Sequence, residues 1–299
     1  MIRSVANYAR RPASGKRRRV RWKRWITALL LAAGTALALV FILLPVYWMV
    51  KSSFQTSAEI FAVPPSWVPE SLTLAAYERA NYLIPVWRYL YNSSVVSVVT
   101  ALVATVFACM AAYVLARYRF PGAMVILVLI LLTQLIPGIT RVFPIYFLIQ
   151  DLGLLNTYVG AIIAYVSFSI PYAVLLLRGY FKTSSPPELE EAALIDGCSF
   201  FSAFWRIILP ISLPGIAAVA TFTFMNAWND FLWASLLLGQ GDMKTIQVGI
   251  GGFAGEGGAL RYVNAFMAAC VIATVPALVV FVFLQRWLVG GLTAGSVKT

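Results

Sequence analysis

Four acids, Glu188, Glu190, Glu191 and Asp196, stand within nine residues of a 299-residue chain that has eleven acids in all. Clustered carboxylates can do acid–base chemistry, hold a metal, or present charge to a partner. The first two need company that is missing. There is no histidine, the commonest general base and metal ligand. Cys109, Cys198 and Cys270 are far apart and form no CxxC pair, so neither a disulfide framework nor a zinc site is suggested. No GxxxxGKS/T run occurs, so nucleotide hydrolysis would have to come from another chain. No catalytic residue and no metal ligand is assigned, and charge presented to a partner is what remains.

A second constellation is Thr223, Asn226, Asn229, Asp230 and Trp233. On a continuous helix these fall within an arc of about 120° at 100° per residue. Hydroxyl, amides, a carboxylate and an indole on one face suit a sugar, whose hydroxyls bond at the edge while its C–H faces lie on an aromatic ring. Gln134, Pro137 and Arg141 share another face, and Pro137 frees a carbonyl while bending its helix. The alternative is structural: Asn and Thr bonding between packed helices, with Asp230 pairing with a base or capping a helix end. Polar groups at membrane depth point to function by default.

The elements that must position these groups are membrane spans. The chain is 61% hydrophobic and 11% charged, with mean hydropathy +0.83, against roughly 25% charged in a soluble domain. Six stretches are long enough to cross a bilayer core, near 25–50, 88–116, 122–149, 158–181, 211–238 and 263–289. Ten of the 23 basic residues fall between Arg3 and Arg24, and no acid precedes Glu59. That block reads as an anchor holding the N-terminus in the cytoplasm, rather than as a nucleic-acid site, and the apolar run after it is too long for a cleaved signal peptide. Arg117 and Arg119, then Arg286 and Lys298, put the matching ends on the same side, so both termini are cytoplasmic and 51–87 and 239–262 lie outside. From a cytoplasmic start near Leu213, Asn226 lies roughly 20 Å in and Asp230 roughly 25 Å in. Asn92 and Asn264 fall near the outer boundary of their spans. The expected organisation is a basic tail over 1–24, a six-span domain over 25–289 and a cytoplasmic tail over 290–299.

Loop 182–210 is cytoplasmic and carries the acid cluster. Ser185-Pro186-Pro187-Glu188 reads as a capping box with Ser185 at the N-cap. Gly197 suits a positive-φ turn, and Ser199 can cap a second helix from Phe200 to Ile208 that ends at Pro210. The Ala192-Ala193 step leaves room for a partner's backbone. Across the membrane, Gly239, Gly241, Gly249, Gly251, Gly252, Gly255, Gly257 and Gly258 predict a pliable loop able to enter a concave surface, or merely a flexible connector. A short helix is expected near Thr73–Ala80.

Glu191-Ala192-Ala193, three residues, Gly197, nine residues, then Ile207-x-Leu209-Pro210 resembles the EAA loop of permease subunits of bacterial ABC importers. Trp228-Asn229-Asp230-Phe231 and the ending Gln285-Arg286-x-x-Val289-x-Gly291-Leu292-Thr293-x-Gly295-x-Val297-Lys298 narrow the resemblance to maltose-type carbohydrate permeases, on the side of the maltose transporter's G subunit. It covers all but about the first 22 residues. The resemblance implies an all-α membrane protein of the type I importer fold, multi-pass in the bacterial inner membrane. Its partners would be a second permease, two ATPase subunits that bind ATP and Mg, and an extracytoplasmic sugar-binding protein or lipoprotein. Membrane lipid would surround it, with no nucleic acid and no cofactor in this chain. Glu188, Glu191, Ala192, Ala193, Asp196, Gly197 and Pro210 would form the coupling element in an ATPase cleft, and Gly291 to Thr299 would reach between the ATPase subunits. The loop 239–262 would enter the binding protein. Gln134, Thr223, Asn226, Asn229, Asp230 and Trp233 are the residues assigned to a substrate path. Similar permeases import glycerol-3-phosphate or related polyol phosphates, and such a ligand would favour an arginine in the cavity. An uncoupled channel or scaffold would not need the full EAA spacing, and a membrane-embedded enzyme would need a base or acid pair that is absent.

Overall fold

The computed structural model describes residues 14–253 and 262–294, and the side chains of all these but 14–21, 23 and 288–294. The start of the basic N-terminal run, the tip of the Gly-rich loop and the end of the C-terminal tail lie outside the described residues. The chain divides into two compact units, Met1–Lys51 and Ser52–Thr299. The first holds most of α1 (Ser14–Ser53), with Pro45 inside it, and the part Arg24–Ser53 is long and apolar enough to cross a membrane.

The second unit opens with α2 (Ser57–Ile60) and α3 (Ala75–Leu83). Then comes α4 (Val86–Arg117), a 32-residue helix. α5 (Ala123–Leu135) leads through a 3-10 turn, Gly138–Arg141, into α6 (Val142–Asp151). α7 (Tyr158–Ser184) is followed by the short helices α8 (Pro187–Ile195) and α9 (Phe200–Ala203). A π turn, Phe204–Ile208, joins α9 to α10 (Leu209–Ile211). α11 (Leu213–Asn229), α12 (Leu232–Leu237), α13 (Ile246–Gly252) and α14 (Val263–Ala294) complete the fold. Among the described residues there is no strand.

α4 is the central element, packed on α7 and α11, while α11 also packs on α14. Its buried face is a column of small residues, Ser93, Ser97, Ala101, Ala104, Ala108 and Ala112. Lipid tails offer no hydrophobic drive between helices, so close approach over small side chains is what holds spans together. Leu102 and Val106, on the opposite face, are exposed as a lipid-facing surface should be.

Four helices are long and apolar enough to span, or six if each of two bent pairs is one span. The third span bends at Pro137, as that residue leads one to expect, while the expectation of an unbroken fifth span over 211–238 is corrected. Between Ala123–Leu135 and Gly138–Asp151 the axis turns by 99°. Ile136 precedes Pro137 and is extended (φ −75, ψ 119), the conformation a following proline imposes. Helices Phe200–Ile211 and Leu213–Asn229 meet at 76°. α11 then stops at Asn229, because Asp230 is extended (ψ 130), so the helical register does not carry on to Trp233.

The loop 182–210 holds two further corrections. Pro186 is the residue before α8, with no side-chain cap. Ser185 instead donates to Phe181 O at 3.0 Å and accepts from Arg117 at 2.7 Å, so the capping box does not form. The second helix begins as expected, with Ser199 Oγ accepting from Ser202 N–H at 3.2 Å, but it continues past Pro210 to Ile211. The π turn before Pro210 is the kind of local adjustment that lets a helix carry a proline.

Candidate functional site

The polar groups of α5, α7 and α11 meet in one cavity of about 300 Å³, lined among others by Gln134, Arg141, Tyr165, Asn226, Asp230 and Trp233. It sits where the chain breaks twice, at the α5–α6 bend and at the end of α11. Broken spans release backbone groups, tolerated at membrane depth only where they are buried or line a cavity. Asn226 Nδ2 donates to Phe222 O at 2.8 Å in its own helix, leaving its second N–H and its Oδ1 for other partners. Asp230 Oδ2 accepts the Tyr165 hydroxyl at 2.6 Å and the Ala234 N–H at 3.0 Å. It therefore satisfies an orphan donor at the start of α12 while lining the cavity. The walls are aromatic. Trp233 lies 4.3 Å from Phe168 between ring centroids, and Tyr172 lies 4.2 Å from Phe222. Arg141 sits over the Phe168 ring at 5.2 Å, and its Nε has no hydrogen-bond partner among the described residues.

Of the six residues assigned to a substrate path, four converge here: Gln134, Asn226, Asp230 and Trp233. Thr223 is buried and lines no part of this cavity. Asn229 faces a second one, of about 380 Å³, with Gln247, Cys270 and Thr274. The stripe thus divides around α11. Sequence reasoning missed Tyr165, Phe168, Ser169 and Tyr172, all on α7 and all in the cavity wall. Their spacing is a helical repeat, and that was the available signal.

The acid cluster is presented by α8 with a clear division of faces. Glu188, Glu191, Ala192 and Asp196 are exposed and Ala193 is buried. Gly197 has φ +87 and turns the chain after α8. Pro210 is exposed at the far end of the loop. Glu190, singled out only as part of the acid run, points inward. Its Oε2 lies 3.3 Å from Arg117 Nε, an ion pair rather than a well-aligned hydrogen bond, with both side chains 9% exposed. Its Oε1 accepts the Tyr113 hydroxyl, and Arg117 also donates to Ser185 O.

On the far side, α12 and α13 hold the first part of the Gly-rich loop in a folded state, which corrects the expectation of a pliable segment there. Its glycines serve close packing: a Cβ at Gly249 would meet the Tyr89 ring, and one at Gly251 the Phe231 ring. Asn92 is buried and donates to Asp242 O at 2.6 Å and Lys244 O at 2.8 Å, while Tyr158 donates to it at 2.7 Å.

Residues 104–293 match the family described as the inner membrane component of binding-protein-dependent transport systems. The chain belongs to that family. This permease is 35% identical over 273 residues to the diacetylchitobiose uptake system permease protein DasC of Streptomyces coelicolor, covering 91% of this chain and 95% of that protein. It is 32% identical to the trehalose/maltose transport system permease protein MalG of Thermococcus litoralis, over 90% of this chain and 96% of the other. In fold it resembles a subunit of a bacterial ABC transporter involved in import of the acidic polysaccharide alginate, with TM-score 0.73, 22% identity, and 88% of this chain and 97% of that chain covered. The permease is a multi-pass inner-membrane component of an ABC importer, a transport subunit working with other transporter components, as the EAA resemblance implied.

Proposed function

We propose that this permease forms half of the path by which an ATP-driven importer moves a saccharide delivered by an extracytoplasmic binding protein. The observation that carries the reading is the cavity at the two helix breaks, where amide, carboxylate and guanidinium groups share aromatic walls. Hydroxyl-rich ligands are recognised by this mixture, because each hydroxyl donates and accepts while ring C–H faces lie on aromatics. The similarity to permeases named for diacetylchitobiose and trehalose/maltose uptake supports the class.

The loop 182–210 faces the cytoplasm in this reading, with both termini on the same side. Glu188, Glu191, Ala192, Asp196 and Gly197 shape the surface that enters an ATPase subunit. Closure of the ATPase pair moves this surface, and the permeases rock between inward and outward states around the cavity. The Gly-rich loop 239–262 lies on the outer face towards the binding protein. ATP and Mg are held by the partners.

Arg141 favours a second reading, a saccharide or polyol that carries an anionic group such as phosphate. A guanidinium binds such groups in bidentate fashion, and this one lacks an ion-paired acid among the described residues. Co-expression with the neighbouring transporter components, followed by uptake of labelled trehalose and glycerol-3-phosphate into proteoliposomes, separates the two. Trehalose uptake that survives Arg141→Gln supports the neutral sugar. Glycerol-3-phosphate uptake that Arg141→Gln abolishes supports the second reading, and the absence of ATP-dependent uptake of either would remove both.

A further inference from the structure

Two sets of hydrogen bonds, at opposite ends of α4, hold the two loops that matter for transport. At one end, Tyr113 and Arg117, four residues apart and so on one face, grip Glu190 of α8 and Ser185 at the close of α7. At the other end, Asn92 and Ser93 grip the segment after α12: Asn92 through Asp242 O and Lys244 O, and Ser93 Oγ through the Ile246 N–H at 2.8 Å. Asn92 and Ser93 are 0% and 2% exposed, so these bonds are shielded from competing water.

Between the clamps the helix has no weak point. α4 contains neither Pro nor Gly, whereas α1, α7 and α14 each carry a proline inside the helix. Sharp kinks in helices occur almost always at such residues. From Asn92 to Arg117 the axis runs roughly 37 Å at 1.5 Å per residue, more than the hydrocarbon thickness of about 30 Å. One stiff element therefore ties the docking loop to the loop on the other side.

We propose that α4 is the relay through which arrival of loaded binding protein at the 239–253 segment raises ATP hydrolysis at the docking loop. Asn92 and Glu190 are its positioning residues. The inference rests on the proposed orientation and partners, and goes beyond them by naming the connecting element. Spatial continuity alone does not establish coupling, so the test must measure it.

The complete transporter, reconstituted with its binding protein and a transported sugar, is assayed for hydrolysis with and without that protein. Asn92→Ala leaves basal hydrolysis unchanged and lowers stimulation at least about fivefold, since both of its hydrogen bonds to the 239–253 segment are lost at ~0.5–1.5 kcal/mol each. In a series relay, Asn92→Ala combined with Glu190→Gln is no worse than the worse single variant. Losses that multiply, or full stimulation of an assembled Asn92→Ala complex, overturn the relay. Ser93→Ala, which removes one hydroxyl, gives the same reading if Asn92→Ala does not assemble. A wild-type complex that hydrolyses ATP without responding to binding protein would sink the underlying reading itself.

Discussion

Arg117→Met breaks the ion pair that seats α8. Glu190 keeps the Tyr113 hydroxyl but loses its ion-pair partner, and Ser185 loses the guanidinium. Breaking a buried pair by removing one partner costs about 3–5 kcal/mol, because a charge stays behind in a poor solvent. Both side chains are 9% exposed, so we take the lower bound, about 3 kcal/mol, which is roughly a hundredfold in the population of an opened docking loop. Trypsin reads that population, since Lys182 and Arg206 flank the loop and are exposed. Cleavage that requires opening tracks the open fraction when reclosing is fast. The single variant in detergent is expected to be cut about a hundredfold faster than wild type at these two sites. Replacing the pair together, Arg117→Met with Glu190→Leu, should return most of the protection, because an apolar pair leaves no buried charge. Unchanged cleavage in the single variant, or a double variant cut as fast as the single, would refute the idea that this pair seats the loop.

Three further outcomes follow from the geometry. Gly197→Val places a branched side chain at φ +87 with no steric contact near its Cβ, so backbone strain of about 1–2 kcal/mol should weaken ATPase co-purification while membrane insertion is unchanged. Tyr165→Phe removes the hydroxyl on Asp230 and should slow initial uptake by about tenfold or more, from a hydrogen bond of ~1.5 kcal/mol or more to a charged group, with complex yield held. Gly249→Val drives a side chain into the Tyr89 ring and should cost about 1–3 kcal/mol by overpacking, seen as a lower thermal aggregation midpoint. Gly252→Ala, with open space around it, serves as the control and should leave the midpoint in place.

Local chemistry was legible in the sequence. Acids near the start of α8, the Gly197 turn and the Ser199 cap all depend on neighbours within a few residues, and each appears in the structure. Two kinds of feature were not. Asp230 interrupts the helix because its carboxylate serves Ala234 and Tyr165, and the second of these partners lies in another span. The Asn92 bonds join residues 150 and 152 positions apart, which no periodicity reports. Glu190 and Glu191 are adjacent acids whose roles differ only because α8 turns one inward. The α7 wall of Tyr165, Phe168, Ser169 and Tyr172 was the missed opportunity, since its spacing is visible without coordinates.

The most direct test of the account is ATP-dependent uptake of the transported sugar, measured at matched complex yield for wild type, Asn226→Ala and Asn226→Phe. The cavity holds about 300 Å³, at the lower end of the ~300–1,000 Å³ typical of small-molecule sites, so a phenyl ring on Asn226 should obstruct it. If the path runs here, Asn226→Ala loses no more than about tenfold, one hydrogen bond of ~0.5–1.5 kcal/mol, and Asn226→Phe abolishes uptake while ATP hydrolysis persists. If uptake per assembled complex is normal in Asn226→Phe, the sugar does not pass this cavity and the central claim fails.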